Sequence, residues 1–143
     1  MYLLLFVYDN GGEYNTTIVT AGNRARIVSY LRSQYENNRK VIDNIKTLFS
    51  KRCLEINALD MLVLETCKMC KYCTLLDGPG YGIQINRFNK RDEAINDYNN
   101  IVDKYKDNTD DEWNNVIKLY KFTKANDGTI IANDEKSVEL PYM

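Results

Sequence analysis

The sequence predicts an α+β fold: a mainly antiparallel sheet built from N- and C-terminal hairpins plus a central strand, with three to four helices packed on one face. Two hairpin signals and one strongly periodic helical stretch carry that expectation. The 143 residues read as a single globular domain, 1–143. No linker and no repeat of solenoid length divides them. A chain of this size buries about two-thirds of the surface its unfolded form exposes. Its 44% hydrophobic residues suffice for a core.

The elements follow in order. Residues 2–8 and 14–20 are rich in aromatic and β-branched side chains, and Asp9-Asn10-Gly11-Gly12-Glu13 between them is turn chemistry, so a hairpin is expected. Asn23 then suits the N-cap of a helix carrying Ile27, Tyr30, Leu31 and Tyr35. Val41, Ile42, Ile45, Leu48 and Phe49 repeat the spacing. Glu36-Asn37-Asn38 is either a break or a polar turn in one long helix. Residues 57–75 predict a further helix, with Leu59, Leu62, Val63, Cys67 and Cys70 on one broad face. The segment Asp77-Gly78-Pro79-Gly80-Tyr81-Gly82 ends it, and 82–88 reads as a strand. In 90–106, Ala94, Ile95, Tyr98, Ile101, Val102 and Tyr105 mark the clearest helix. Residues 113–123 and 129–132 predict a final hairpin across Asn126-Asp127-Gly128, followed by an extended tail through Pro141.

Charge is uneven along the chain. Residues 1–52 carry eight Lys/Arg against four Asp/Glu, 53–91 carry five against four, and 92–143 carry six against twelve. Histidine is absent, which removes imidazole bases, Ser–His or Cys–His nucleophiles and histidine metal ligands. No motif marks the remaining routes to catalysis. Residues 1–8 are apolar but lack a basic leader and stop far short of the roughly 20 residues that span a bilayer. A cytoplasmic protein without a membrane partner is therefore expected.

Three groups of residues are candidate sites. Cys67, Cys70 and Cys73 form C-x-x-C-x-x-C, and Cys53 supplies a fourth thiol for a possible zinc set. Placed on a helix, these cysteines drift apart, so buried free thiols are favoured over metal, with redox or disulfide chemistry the remaining alternative, and no cofactor is expected. Two strand-to-helix junctions gather amides and cations where a helix start attracts anions. One holds Asn23, Arg24 and Arg26; the other holds Asn86, Arg87, Lys90 and Arg91. The acidic run Asp107, Asp110, Asp111 and Glu112 lacks calcium-loop spacing and is a candidate partner-binding surface. Gly78-Pro79-Gly80-Tyr81-Gly82 is not a phosphate loop, because it would not open a helix and it lacks G-K-[ST].

The usage of Asn, Tyr, Ile and Lys resembles that of viral, phage or low-GC bacterial chains. The expected function is that of a non-enzymatic accessory protein, viral or phage-like, that binds and inhibits a host macromolecule such as a host-defence component. Tyr30, Tyr35, Tyr98, Tyr105 and Trp113 are candidate interface anchors. The alternatives are a nucleotide or phosphate binder using the basic junctions, and a zinc-supported interaction domain. Nucleic acid is a poor partner for a chain of net charge −1 without a recognised motif.

Overall fold

The computed structural model describes residues 1–10, 13–78, 82–106, 113–127 and 129–142. In chain order the elements are β1 (Tyr2–Asn10), β2 (Glu13–Gly22), α1 (Arg24–Gln34), α2 (Arg39–Ile42), α3 (Ile45–Lys51), β3 (Cys53–Glu55), β4 (Asp60–Thr66), β5 (Tyr72–Gly78), β6 (Gly82–Phe88), α4 (Arg91–Tyr105), β7 (Trp113–Lys124) and β8 (Ile130–Tyr142). The protein is thus mixed α and β and mainly sheet. The eight strands form one antiparallel sheet in the order β3-β4-β1-β2-β8-β7-β5-β6.

That sheet is narrow at its middle. Among the described residues β2 and β8 share a single register pair, Ala21 opposite Ile130. The bridge separates two four-stranded halves, which curl toward each other into a half-barrel. Each half repeats the order strand, strand, helix, strand, strand, although in the first half the helical part is split into α1, α2 and α3. Side chains alternate across a strand, so each half has an inner and an outer face. Inner residues Leu3, Leu5, Ile18 and Ala21 of the first half meet Cys73, Leu75, Tyr120 and Phe122 of the second. On the outer face, Leu4, Leu54, Leu62 and Leu64 pack against Ile27, Leu31, Val41 and Leu48 of α1 to α3. Tyr72, Leu76, Ile117 and Leu119 pack likewise against Ala94 and Tyr98 of α4.

Local chemistry sets the helix limits. Asn23 caps α1 by accepting the Arg26 N–H at 2.9 Å, and Asn38 caps α2 by accepting the Val41 N–H at 3.2 Å. The polar stretch 36–38 is therefore a break. At the end of α3, Arg52 takes a left-handed conformation (φ 68°) and gives its N–H to the Leu48 carbonyl at 2.8 Å. Glycine usually fills such a position, because a Cβ crowds the following carbonyl. Gly22, at the turn from the central bridge into α1, has φ 150°, and a Cβ there would lie 2.9 Å from the Arg26 Cγ.

The helix expected over 57–75 does not form. The segment is β4, a loop at 67–71, and β5. The single central strand of the expected fold is accordingly four strands, β3 to β6. Two causes misled the periodicity. The run Met61-Leu62-Val63-Leu64 has Leu62 and Leu64 in the outer core and Val63 against the inner one, so both faces are apolar. Every residue of β5 is buried, which erases any alternation. Asn57 supplies the turn into β4, its Oδ1 accepting N–H groups from Leu59 and Asp60 at 2.8 and 2.9 Å. A side chain capping a turn and one capping a helix use the same local bonds, so the residue alone does not choose between them. Gly78 pairs with Gly82, so the glycine-rich segment joins two strands instead of stopping a helix; residues 79–81 lie outside the described set. The tail expected beyond 132 is strand, β8 running to Tyr142 opposite Trp113. No helix among the described residues is long and apolar enough to cross a membrane.

Candidate functional site

The curl leaves one side open, between β3–β4 of the first half and β5–β6 of the second. At one end of this seam is a pocket of about 500 Å³. Val7, Met61 and Val63 line it from the first half, and Asp77, Gly78, Gly82 and Ile83 from the second. Glu55, Asp60, Glu65 and Asp77 all line it, and they are the only acidic residues of segment 53–91. No Lys or Arg is among the described lining residues. The Glu55 and Glu65 carboxylates make no hydrogen bond or ion pair with any described residue. Asp60 is held by the Asn57 amide at 2.9 Å. Asp77 is only 4% exposed and accepts a hydrogen bond from the Thr16 hydroxyl, across the interior from β2. Leu59 and Met61, 41% and 36% exposed, add apolar surface beside the acids. The acids come from β3, β4 and β5, so no sequence motif could announce them. Only the strand register converges them.

The Thr16–Asp77 bond belongs to a set of links that β2 makes where it leaves β8. Lys118 Nζ donates to Thr17 Oγ1 at 2.8 Å, and the Ile18 N–H donates to the Tyr120 hydroxyl at 3.0 Å. The β1–β2 register slips between Leu4 and Leu5, and the tyrosine hydroxyl serves the Ile18 amide beside that irregularity. Burial pushes the Tyr120 phenol well above its usual range, so it stays neutral.

The other end of the seam carries thiols and cations. Cys67, Thr66, Lys68 and Arg87 line a pocket of about 510 Å³. Cys67 and Cys70 lie in the β4–β5 loop with sulfurs 3.8 Å apart. Cys73 is on β5, directly between Arg87 and Tyr120 in register. The Cys67 thiol is lowered to about 7, chiefly by the Cys70 S–H, with the Arg87 charge assisting and burial opposing. Cys70 is held protonated by donating to Cys67 and by burial. Burial and the nearby Cys67 push Cys73 up to about 12.

The four-thiol set does not assemble. Cys53 is exposed on β3 opposite Val63, four residues along β4 from Cys67, a separation of roughly 13 Å at the usual strand rise. No group of three or more His, Cys, Asp or Glu among the described residues is arranged to hold a metal ion. Strand and loop, not helix, carry these residues, and β3 holds Cys53 away from the other three.

The two basic junctions fare differently. Asn23, Arg24 and Arg26 do line one pocket, of about 490 Å³, but Asp127 and Thr129 face them there. Asn23 is occupied as the α1 cap, and Arg24 lies 4.2 Å over the Phe49 ring. Arg26 Nε is buried without a hydrogen-bond partner. Two donors from Thr129 and, least, the Arg26 charge hold the Asp127 carboxyl below its usual range. The second junction is split by strand alternation. Asn86 faces outward and donates to Asp97 of α4 at 3.1 Å, whereas Arg87 faces Cys73 on the inner side. Lys90 and Arg91 are exposed at the α4 start, and Lys90 makes no side-chain capping bond. Asp107, Asp110, Asp111 and Glu112 lie outside the described residues. Tyr30, Tyr35, Tyr98 and Tyr105 pack against the two outer cores.

No known family model matches the chain, and comparison with curated proteins and with solved structures yields no match. Fold and site together define a curled, open antiparallel sheet whose seam is acidic at one end and thiol-bearing and cationic at the other.

Proposed function

We propose that the chain is a non-enzymatic protein-binding module that takes a basic, extended segment of a partner protein into the acidic mouth of the seam. The observation that carries this reading is that Glu55, Asp60, Glu65 and Asp77 line one pocket with no Lys or Arg among its described lining residues. Opposite charge placed on such a surface steers encounter and fixes orientation. The extended form is favoured by β6, the last strand of the sheet, whose outer edge has no strand partner among the described residues. Leu59 and Met61 offer apolar contact beside the acids. Binding without chemistry gives the chain a blocking action on a host or cellular protein.

The test uses two synthetic peptides, one alternating Lys with Val and one alternating Glu with Val, followed by fluorescence anisotropy. The basic peptide should bind, and more weakly as salt rises. Equal binding of both peptides, or of neither at low salt, would sink the reading.

A second reading rests on Arg26 Nε, buried and unpartnered beside Arg24. There the ligand is a phosphate group, and Arg26 is its principal donor. Inorganic phosphate and a nucleotide panel should then raise Tm, and Arg26→Gln should abolish the rise. Unchanged Tm across the panel removes this reading.

A further inference from the structure

We propose that Cys67 and Cys70 are a reversible dithiol, closed to a disulfide by exchange with a small oxidised thiol, and that Arg87 is the residue that positions and stabilises the attacking sulfur. The proposal stands on where the fold puts these groups. The two sulfurs are already 3.8 Å apart, and closing a bond at about 2.05 Å requires a modest approach. The loop that bears them is tied at both ends. Cys67 gives its N–H to the Met1 carbonyl at 2.8 Å, and Lys71 gives its N–H to the Phe88 carbonyl at 3.2 Å. The Lys71 carbonyl also accepts the Phe122 N–H at 2.9 Å. Pairing is therefore built into the loop and does not depend on a chance encounter.

The neighbours divide the labour between the two sulfurs. The Cys67 and Cys70 thiols are in contact and the Arg87 guanidinium stands beside Cys67, an arrangement that favours negative charge on Cys67. A thiolate formed near neutral pH is the species that attacks a disulfide. The other two cysteines are unsuited. Cys73 is fully buried in the inner core and stays protonated, and Cys53 stands apart on an exposed edge. Access selects the oxidant. Cys67 is only 4% exposed but lines the pocket it shares with Arg87, so a small molecule reaches it and a protein active site does not.

The step balances. The Cys67 thiolate attacks one sulfur of the small disulfide, forming a mixed disulfide and expelling one thiolate, which takes a proton from solvent. Cys70 loses its proton to solvent and attacks the Cys67 sulfur, expelling the second small thiolate. Two protein thiols and one small disulfide become one protein disulfide and two small thiols. The protein loses two electrons and the small disulfide gains them.

The test uses the full chain carrying Cys53→Ser, treated with oxidised glutathione and followed by intact and peptide mass spectrometry. The expected product has lost two hydrogens, carries no adduct, and maps to a Cys67–Cys70 link. Adding Cys70→Ser should instead trap one glutathione on Cys67. Arg87→Gln should slow the reaction about threefold and Arg87→Lys should restore part of the rate, as expected if the charge holds the thiolate. Differential alkylation of the unsubstituted protein under the same oxidant gives an independent reading should a variant fail to fold. A dithiol that stays reduced while free dithiothreitol is oxidised, a bridge formed through Cys73, or an adduct that maps elsewhere than Cys67 would overturn the proposal.

Discussion

The two ends of the open seam are built from the same strands and differ in almost every chemical respect. At one end, β3, β4 and β5 bring four acidic residues to one pocket, with no Lys or Arg among its described lining residues. At the other, the continuation of β4 and the far end of β6 bring Lys68 and Arg87 beside thiols. Segment 53–91 is close to neutral overall, with five Lys/Arg against four Asp/Glu. The fold sorts these charges along the seam, so a nearly neutral stretch yields two fields of opposite sign. Net charge over a segment is thus a poor guide to local field when the segment is antiparallel sheet, because neighbours across strands are distant in sequence.

The largest expected effect tests how the acidic end is anchored. Thr16→Val removes the hydroxyl that serves the buried Asp77 and should cost about 2 kcal/mol, roughly thirtyfold in the folding equilibrium, as read by urea unfolding. A loss below about 0.5 kcal/mol would mean that the bond contributes little. Next comes the charge itself. Glu55→Lys with Glu65→Lys should weaken binding of the basic peptide about tenfold or more, while Arg87→Gln at the opposite end should change it less than about twofold. Equal effects from both ends would erase the contrast. Smaller is the response of the thiol end to pH. Because the Cys67 thiol is held at about 7, its alkylation rate should rise through that pH and level off roughly a unit above it, where an ordinary thiol is still gaining thiolate. Arg87→Gln should move the midpoint upward. The smallest effect concerns Arg52, whose left-handed backbone precedes β3. Arg52→Gly relieves that conformation but gives up the contact with the Tyr2 ring at 5.7 Å, for a net gain of about 0.5 kcal/mol by thermal unfolding.

The legible parts of the fold were those with one buried face. The helix at 91–105 shows its spacing because only one side of it meets the sheet, and Asn23 marks the start of α1 by its capping side chain. The strands β4 and β5 were hidden because cores lie on both sides of them. Mistaking them for a helix also misplaced the cysteines, and with them the dithiol. The Asn86–Arg87 junction failed for a related reason: adjacent residues on a strand point to opposite faces, which a reading along the chain joins and the sheet separates. The acidic mouth was invisible for a different reason. Glu55 and Asp77 are 22 positions apart and meet only because β4 returns beside β1 and the two halves curl together.

The most direct test of the acidic mouth as a docking site is a backbone-amide NMR titration of the protein with the Lys/Val peptide. Shifted resonances should concentrate on 55–65 and 82–85, and Glu55→Lys with Glu65→Lys should remove them. Shifts centred on Arg24 and Arg26, or a pattern that survives the charge reversal, would contradict it.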